Sequence, residues 1–284
     1  MDKQDKIIKL AHWNITNLCN YSCSYCDSKS GEEYEGKFST EAILKGIEKN
    51  LKGRWRIRFD GSGEPFLAPD FLKIVEKLVK MGHEIGVFTN FSAPLKTFLK
   101  FCQITKGSLF EFNTSLHLES TAPENFLKKV ILVREKTGTT PSVFSVACEG
   151  KVENLEKIRH LFIKENIPFI VIPKRVYQKR NYKKKVFYAD YSKKEIEIIK
   201  KMRKNAFDIE KRNFKGKLCW AGSKYLVIGE GDNVWRCLPA KRNKAGRGYL
   251  GRITDKKFKL NNQPLPCCYE DCYCKAALSS NVVI

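Results

Sequence analysis

RWRIRFDGSGEPFLAPDFLKIVEKLVKMGHEIGVFTN, residues 54–90, reads as one strand–helix–strand unit. Its ends, RWRIRFD (54–60) and EIGVFTN (84–90), are short apolar runs rich in β-branched and aromatic residues. Between them APDFLKIVEKLVK sets Asp70 ahead of apolar residues at helical spacing. The pattern repeats outward in both directions. Strands are predicted at KIIKLAHWNI (6–15), LFEFNTSLHL (109–118), SVFSVAC (142–148) and IPFIVIP (167–173), and helices start near Ser39, Asp70, Pro94, Pro123, Val152 and Lys193. Ser39 or Thr40 is a capping residue, and Pro123 sits where a first-turn proline is tolerated. Six such units predict an α/β fold, a parallel sheet curled into a partial (β/α)6 TIM-like barrel.

In sheets of this kind ligands gather at the C-terminal ends of the strands. That rule brings Cys19 to Cys26, GSGEP (61–65), Thr89 and Asn90, Ser115 and His117, Cys148, and Lys174 and Arg175 to one mouth. After about residue 205 the pattern changes. YLVIGEGDNVWRC reads as two strands around the turn EGDN, so residues 1–205 are assigned to the barrel and 206–284 to a small Cys-rich module of β-hairpin plus helix.

The chain has 284 residues, 42% of them hydrophobic, enough to bury a full core without disulfide staples. The N-terminus has no apolar signal region and no run is long enough to span a bilayer, so a cytoplasmic protein is expected. Eleven cysteines in such a chain point to metal ligation rather than disulfides. They segregate: Cys19, Cys23 and Cys26 lie together, and Cys219, Cys237, Cys267, Cys268, Cys272 and Cys274 lie in the last quarter. Two metal sites are therefore expected. Three thiolates can hold three irons of a cubane cluster and leave the fourth open, whereas structural zinc asks for two pairs.

Cys19-x3-Cys23-x2-Cys26 directly after a first strand, with Tyr25 before the last cysteine, resembles the signature of the radical S-adenosylmethionine (SAM) superfamily. GSGEP after the second strand resembles that family's GGE motif, and FTN (88–90) and SLHLE (115–119) fall where later strands meet the cofactor. The resemblance implies a [4Fe-4S] cluster on Cys19, Cys23 and Cys26 with SAM chelated at the open iron. One electron would cleave SAM to methionine and a 5'-deoxyadenosyl radical that takes a hydrogen atom from substrate. It further implies roles for Gly61 and Gly63 in letting backbone approach the methionyl end, for Glu64 in receiving its ammonium, for Tyr25 against adenine, and for Thr89, Asn90 and Ser115 as hydrogen-bonding groups. Read without the resemblance, those glycines make a turn and those small polar residues cap strand ends.

Cys219-x17-Cys237 with the later CCYEDCYC resembles the twitch or shortened SPASM module of the same superfamily, of the 2-deoxy-scyllo-inosamine dehydrogenase type, which implies an auxiliary [4Fe-4S] cluster. The remaining ligands are to be chosen among Cys268, Cys272 and Cys274, and zinc is the alternative. A substrate radical beside an electron-accepting cluster implies oxidation of an alcohol. Cys148, at the end of the fifth strand, keeps epimerisation open as a hydrogen-atom donor, or is an inert core thiol. The first strand begins almost at Met1, which favours a small sugar or cyclitol over a peptide, with an external donor such as flavodoxin or ferredoxin. The net charge of +22, concentrated at 174–194 and 241–252, is either solvated lysine or a site for a phosphorylated or nucleotide-linked substrate. No nucleic-acid recognition motif accompanies it. A non-catalytic metal protein binding RNA is the alternative from another class.

Overall fold

The computed structural model describes residues 8–26, 39–180, 183–207, 213–229, 231–243, 248–269 and 272. Six strands alternate with helices as expected: β1 (Leu10–Trp13), α1 (Thr40–Asn50), β2 (Arg56–Phe59), α2 (Phe71–Lys80), β3 (Glu84–Thr89), α3 (Leu95–Ile104), β4 (Leu109–Ser115), α4 (Pro123–Thr137), β5 (Ser142–Ala147), α5 (Val152–Lys164) and β6 (Phe169–Pro173). Strands β1 to β6 pair in chain order, all parallel.

Local chemistry sets the helix starts. Ser39 accepts from the Ala42 amide through its side chain and caps α1. Asp70 precedes α2 in the left-handed region and pairs instead with Lys73. Along α2, Phe71, Ile74, Val75 and Leu78 are buried, the stripe that period 3.6 demands. The helices lie on one side of the sheet, over a core rich in phenylalanine: Phe59, Phe71, Phe98, Phe101 and Phe112 are all buried and in ring contact through their neighbours. Each fully buried ring of this kind contributes roughly 1.5–3 kcal/mol by burial alone.

Strand alternation sends Arg58 and Glu111 to the opposite, barrel-interior face, where they form an ion pair, and Arg58 also lies over Phe88 and Phe110. His12, on the same face of β1, approaches both carboxylate oxygens of Asp60 at 2.8 and 2.9 Å. Burial raises the Asp60 pKa, but His12, Arg58 and Lys241 outweigh it and hold the carboxyl below its usual range.

Two features differ from the sequence reading. The basic stretch after β6 forms an antiparallel hairpin, β7 (Arg175–Arg180) and β8 (Lys183–Tyr188), before α6 (Lys193–Met202). Beyond it, β9 (Leu218–Cys219), β10 (Tyr225–Ile228), β11 (Asn233–Trp235), α7 (Leu238–Asn243), β12 (Tyr249–Arg252) and β13 (Leu265–Pro266) complete the described elements. The expected hairpin is β10–β11, and β10 joins the barrel sheet, pairing in parallel with β1 from Leu10↔Tyr225 to Trp13↔Ile228. The result is one nine-stranded sheet, β12-β11-β10-β1-β2-β3-β4-β5-β6, which spans both segments on either side of residue 205. Among the described residues no helix is long and apolar enough to cross a membrane.

His83 gives a pH-dependent test of the core. It is buried, with Nδ1 accepting from the Trp55 amide at 3.4 Å, and burial lowers its pKa. A histidine whose folded pKa lies below its unfolded value of about 6.5 stabilises the fold above that pH, and the contribution is lost as pH falls. Stability measured by urea melts from about pH 7 down to about pH 5 should therefore fall less steeply in His83→Gln than in wild type. Parallel slopes would show that His83 does not carry this dependence.

Candidate active site

The loop leaving β1 carries Cys19, Cys23 and Cys26 to the C-terminal edge of the sheet, and three other strand ends close on it. From β2 comes the turn at 61–64. Gly61 has φ 139°, and a Cβ there would lie 2.5 Å from the Asn14 side chain. A Cβ on Gly63 would stand 2.5 Å from Leu18 O, 2.7 Å from Thr16 O and 2.8 Å from Asn17 C. The Glu64 amide donates to Leu18 O at 2.8 Å. Both glycines let the turn press against the segment that feeds the cysteines.

Glu64, 2% exposed, is engaged through both oxygens. Oε1 accepts from Thr89 Oγ1 at 2.6 Å and from the Phe66 amide at 3.1 Å, and Oε2 accepts from the Asn90 amide at 2.6 Å. Burial nonetheless raises its pKa against these donors and Lys129. The sequence reading assigned this carboxylate to the SAM ammonium; in the structure it ties the turn after β2 to the end of β3. Thr89 Oγ1 also accepts from the Phe91 amide at 3.0 Å. Phe91 itself is left-handed at φ 62°, a conformation costly for an aromatic residue, and Lys129 Nζ donates to its carbonyl at 2.7 Å. Asn90 Nδ2 donates to Asn20 Oδ1 at 2.9 Å and approaches Cys19 Sγ at 3.8 Å, so it reaches the cysteine loop.

The segment after β4 makes the closest set of contacts. His117 Nδ1 lies 2.8 Å from Tyr25 Oη and 3.3 Å from Cys23 Sγ, and its ring stacks on Tyr25 at 6.0 Å and 15°. Glu119 accepts from the Ser24 amide at 2.8 Å and from Ser24 Oγ at 2.6 Å, while Tyr21 Oη and Thr121 Oγ1 are 2.9 Å apart. The Tyr25 hydroxyl pKa is pushed up, first by burial and then by Cys23. Burial also raises the Cys23 thiol pKa, with Cys26, Glu119 and Cys19 adding to it against the Tyr25 hydrogen bond, and lowers that of His117. Cys19 and Cys26 both act electrostatically on Cys23, although among the described residues no three His, Cys, Asp or Glu side chains are gathered as a site for a single metal ion. This donor set, three thiols with hydrogen-bonding groups directed at two of them, fits a cluster ligated by cysteine.

Ser115 closes β4, half-buried and paired in register with Phe144. Cys148 follows β5 as expected, half-buried, and burial raises its thiol pKa, with Lys174 acting in the opposite sense. Lys174, the first residue of the basic stretch that sequence reads as solvated lysine or an anion site, pairs with Glu149 at 2.7 Å. His117, Glu119 and Thr121 are the residues that sequence reasoning did not assign to the cysteine loop. The only signal was SLHLE itself, whose alternating polar residues turn towards residues nearly a hundred positions earlier.

The late cysteines also converge. Pairing of β9 with β13 sets Leu265 opposite Cys219, and the Cys267 amide donates to Lys217 O at 2.8 Å. Cys219 belongs to a buried apolar cluster with Leu10, Trp220 and Tyr225, and the half-buried Cys237, Cys267 and Cys272 pack against it. Cys268 and Cys237 both act on the Tyr269 hydroxyl, whose pKa is raised first by burial. Cys274 lies outside the described residues.

Residues 13–100 match the family described as the radical SAM superfamily. Among curated relatives, the tungsten-containing aldehyde ferredoxin oxidoreductase cofactor-modifying protein of Pyrococcus furiosus is 25% identical over 167 residues, 54% of this chain and 47% of the relative. The 7-carboxy-7-deazaguanine synthase of Thermoplasma acidophilum is 31% identical over 129 residues, 41% of this chain and 58% of the relative. The chain thus spans about half the length of these relatives. In fold it is similar to Streptococcus suis SuiB bound to S-adenosylmethionine, with TM-score 0.62 at 13% identity over 89% of this chain and 65% of that one. It is likewise similar to anSMEcpe with bound AdoMet, with TM-score 0.58 at 16% identity over 87% of this chain and 78% of that one. The family match runs from β1 into α3, and so contains the cysteine loop, the GSGEP turn and the end of β3 that are locked together here; the chain carries a radical SAM domain over this segment, the part that would hold a [4Fe-4S] cluster and SAM.

Proposed function

We propose that this radical SAM enzyme oxidises an alcohol carbon of a small sugar or cyclitol, phosphorylated or nucleotide-linked forms included, with an auxiliary [4Fe-4S] cluster in the C-terminal segment. The observation that carries the proposal is the pairing of β10 with β1. It packs Cys219 and its neighbours against Leu10 and Tyr225, so the second group of thiols is built onto the same sheet that presents the first. Cys219 and Cys237, with partners from Cys268, Cys272 and Cys274, would hold that cluster. Two-electron oxidation removes one hydrogen atom, one proton and one electron; Cys19, Cys23 and Cys26 would hold the cluster that, with SAM and an external donor such as flavodoxin or ferredoxin, supplies the radical for the hydrogen atom, and the late cysteines would hold the cluster that accepts the electron.

The chain's own part is to hold the cysteine loop rigid. The protein offers one other outcome at Cys148. Its raised pKa keeps the thiol protonated, the state from which a hydrogen atom can be returned to carbon with inversion. Lys174 can meet a phosphate only by giving up its pair with Glu149, so the anionic forms of the substrate compete with an existing ion pair.

A second reading, modification of a peptide, is favoured by two comparisons. The mycofactocin maturase MftC of Mycobacterium ulcerans is 32% identical over 75 residues, 26% of this chain, and anSMEcpe has been solved with bound AdoMet and a Cp18Cys peptide, with TM-score 0.59 at 14% identity.

Turnover of a cyclitol and sugar panel in deuterated water, after anaerobic reconstitution and reduction with dithionite, separates these outcomes. Oxidation yields a carbonyl product with no carbon-bound label. Carbon-bound deuterium that disappears in Cys148→Ala would replace oxidation by epimerisation, and turnover of peptides alone would sink the small-molecule reading.

A further inference from the structure

We propose that His117 is a positioning residue for the cluster. It donates Nδ1–H to the Cys23 sulfur, raising the cluster's reduction potential, and its ring and Nδ1 hold Tyr25 beside that sulfur. The inference rests on the cluster assignment but goes beyond it, since nothing in the cysteine motif requires a histidine here.

Three observations carry it. The first is distance: His117 Nδ1 is 3.3 Å from Cys23 Sγ, within hydrogen-bonding range for sulfur, and 2.8 Å from Tyr25 Oη. The second is the chemistry of the partners. A cysteine that ligates iron has lost its proton and is an acceptor only. A hydrogen bond between Cys23 and His117 then needs the proton on Nδ1, and in that tautomer the same N–H is shared with the Tyr25 oxygen, whose own O–H is left to the sulfur.

The third observation is that His117 stands on a braced segment. The Ser120 and Thr121 amides both donate to the His117 carbonyl, at 2.9 and 3.0 Å. The preceding residue, Leu116, is bound on both sides to β5, by its amide to Phe144 O at 2.8 Å and by its carbonyl from Ser145 Oγ at 2.9 Å. On the far side Glu119 grips Ser24 and Thr121 meets Tyr21, so His117 is held between two anchors on the loop it serves. A donor fixed by its own scaffold keeps its direction as the cluster changes charge. Hydrogen bonds to cluster sulfurs stabilise the more negative, reduced state, and outer partners of this kind typically change metal affinity or activity by about 10–100-fold. Cys19 shows the same design with other groups: its sulfur accepts from the Tyr21 amide at 3.5 Å and is approached by Asn90 Nδ2.

The test compares reconstituted wild type, His117→Phe and His117→Asn by redox titration of the cluster followed by electron paramagnetic resonance. Phe keeps a ring against Tyr25 and removes the donor; Asn restores an N–H near the position of Nδ1. The expected result is a more negative midpoint in His117→Phe and a return towards wild type in His117→Asn. Equal midpoints in all three overturn the proposal. Should His117→Phe take up no iron, the wild type labelled with 15N-histidine decides. Of the four histidines only His117 touches a cysteine of the loop among the described residues, so the reduced cluster should show a 15N coupling in pulsed resonance spectra, and its absence overturns the proposal. Iron and sulfide content tests the cluster and the midpoint tests His117, so the two assignments fail separately.

Discussion

Cys23→Ala is expected to abolish reductive cleavage of SAM, with 5'-deoxyadenosine formation at least about 100-fold below wild type under dithionite. Loss of an outer partner costs a metal site up to about 100-fold, and loss of a ligand costs at least as much. Cys23 is the central thiol of the loop. Its sulfur is under the electrostatic influence of both Cys19 and Cys26, and it is the one that His117 and Tyr25 address. Removing it should leave the fold standing, because Cys23 lies outside the phenylalanine core and β1 to β6 do not depend on it. Thermal melts should thus change little while iron content collapses. A variant that forms 5'-deoxyadenosine within tenfold of wild type would show that Cys23 is not a ligand.

Gly63→Ala is expected to have the second largest effect, and by a steric route. The added methyl would stand within 2.8 Å of three backbone atoms contributed by Thr16, Asn17 and Leu18, and backbone cannot swing aside as a side-chain tip can. Overpacking of this kind costs about 1–3 kcal/mol. The strain falls on the segment that enters the cysteine loop and on the Glu64 amide bond to Leu18 O, so a displaced loop should lower iron per chain as well as the melting temperature. If Gly63→Ala binds iron as wild type does while melting lower, the close approach serves stability alone. Unchanged values of both would contradict the geometry of the turn.

Much of the fold was legible before any coordinates. The strand–helix rhythm carried over nearly residue for residue: helices begin at or beside Ser39, Asp70, Pro94, Pro123, Val152 and Lys193, and the expected hairpin forms as β10 and β11. Period and capping chemistry are properties of neighbouring residues, so they can be read locally. The strands were read a few residues too long, because flanking residues such as Asn14 or Leu118 share the composition of a strand while lying past the last ladder pair. The basic stretch at 174–194 hid the β7–β8 hairpin, since a run of lysines signals charge more strongly than it signals alternation.

For the site, sequence determined the reactive groups: Cys19, Cys23 and Cys26 in one loop, the glycine turn at 61–64, and a second store of thiols after residue 205. Tertiary structure decided what each of these touches. It turned Glu64 towards Thr89 and Asn90, seated Gly63 against Leu18, set His117 and Glu119 on a loop almost a hundred residues away, and joined β10 to β1 so that the late cysteines pack against the sheet from which the first group leaves. The physical reason is range. Thiolate chemistry, turn conformation and helix capping act over a few bonds, whereas hydrogen bonds between strand ends exist only after the parallel strands have chosen their neighbours and brought their C-terminal loops to the same edge.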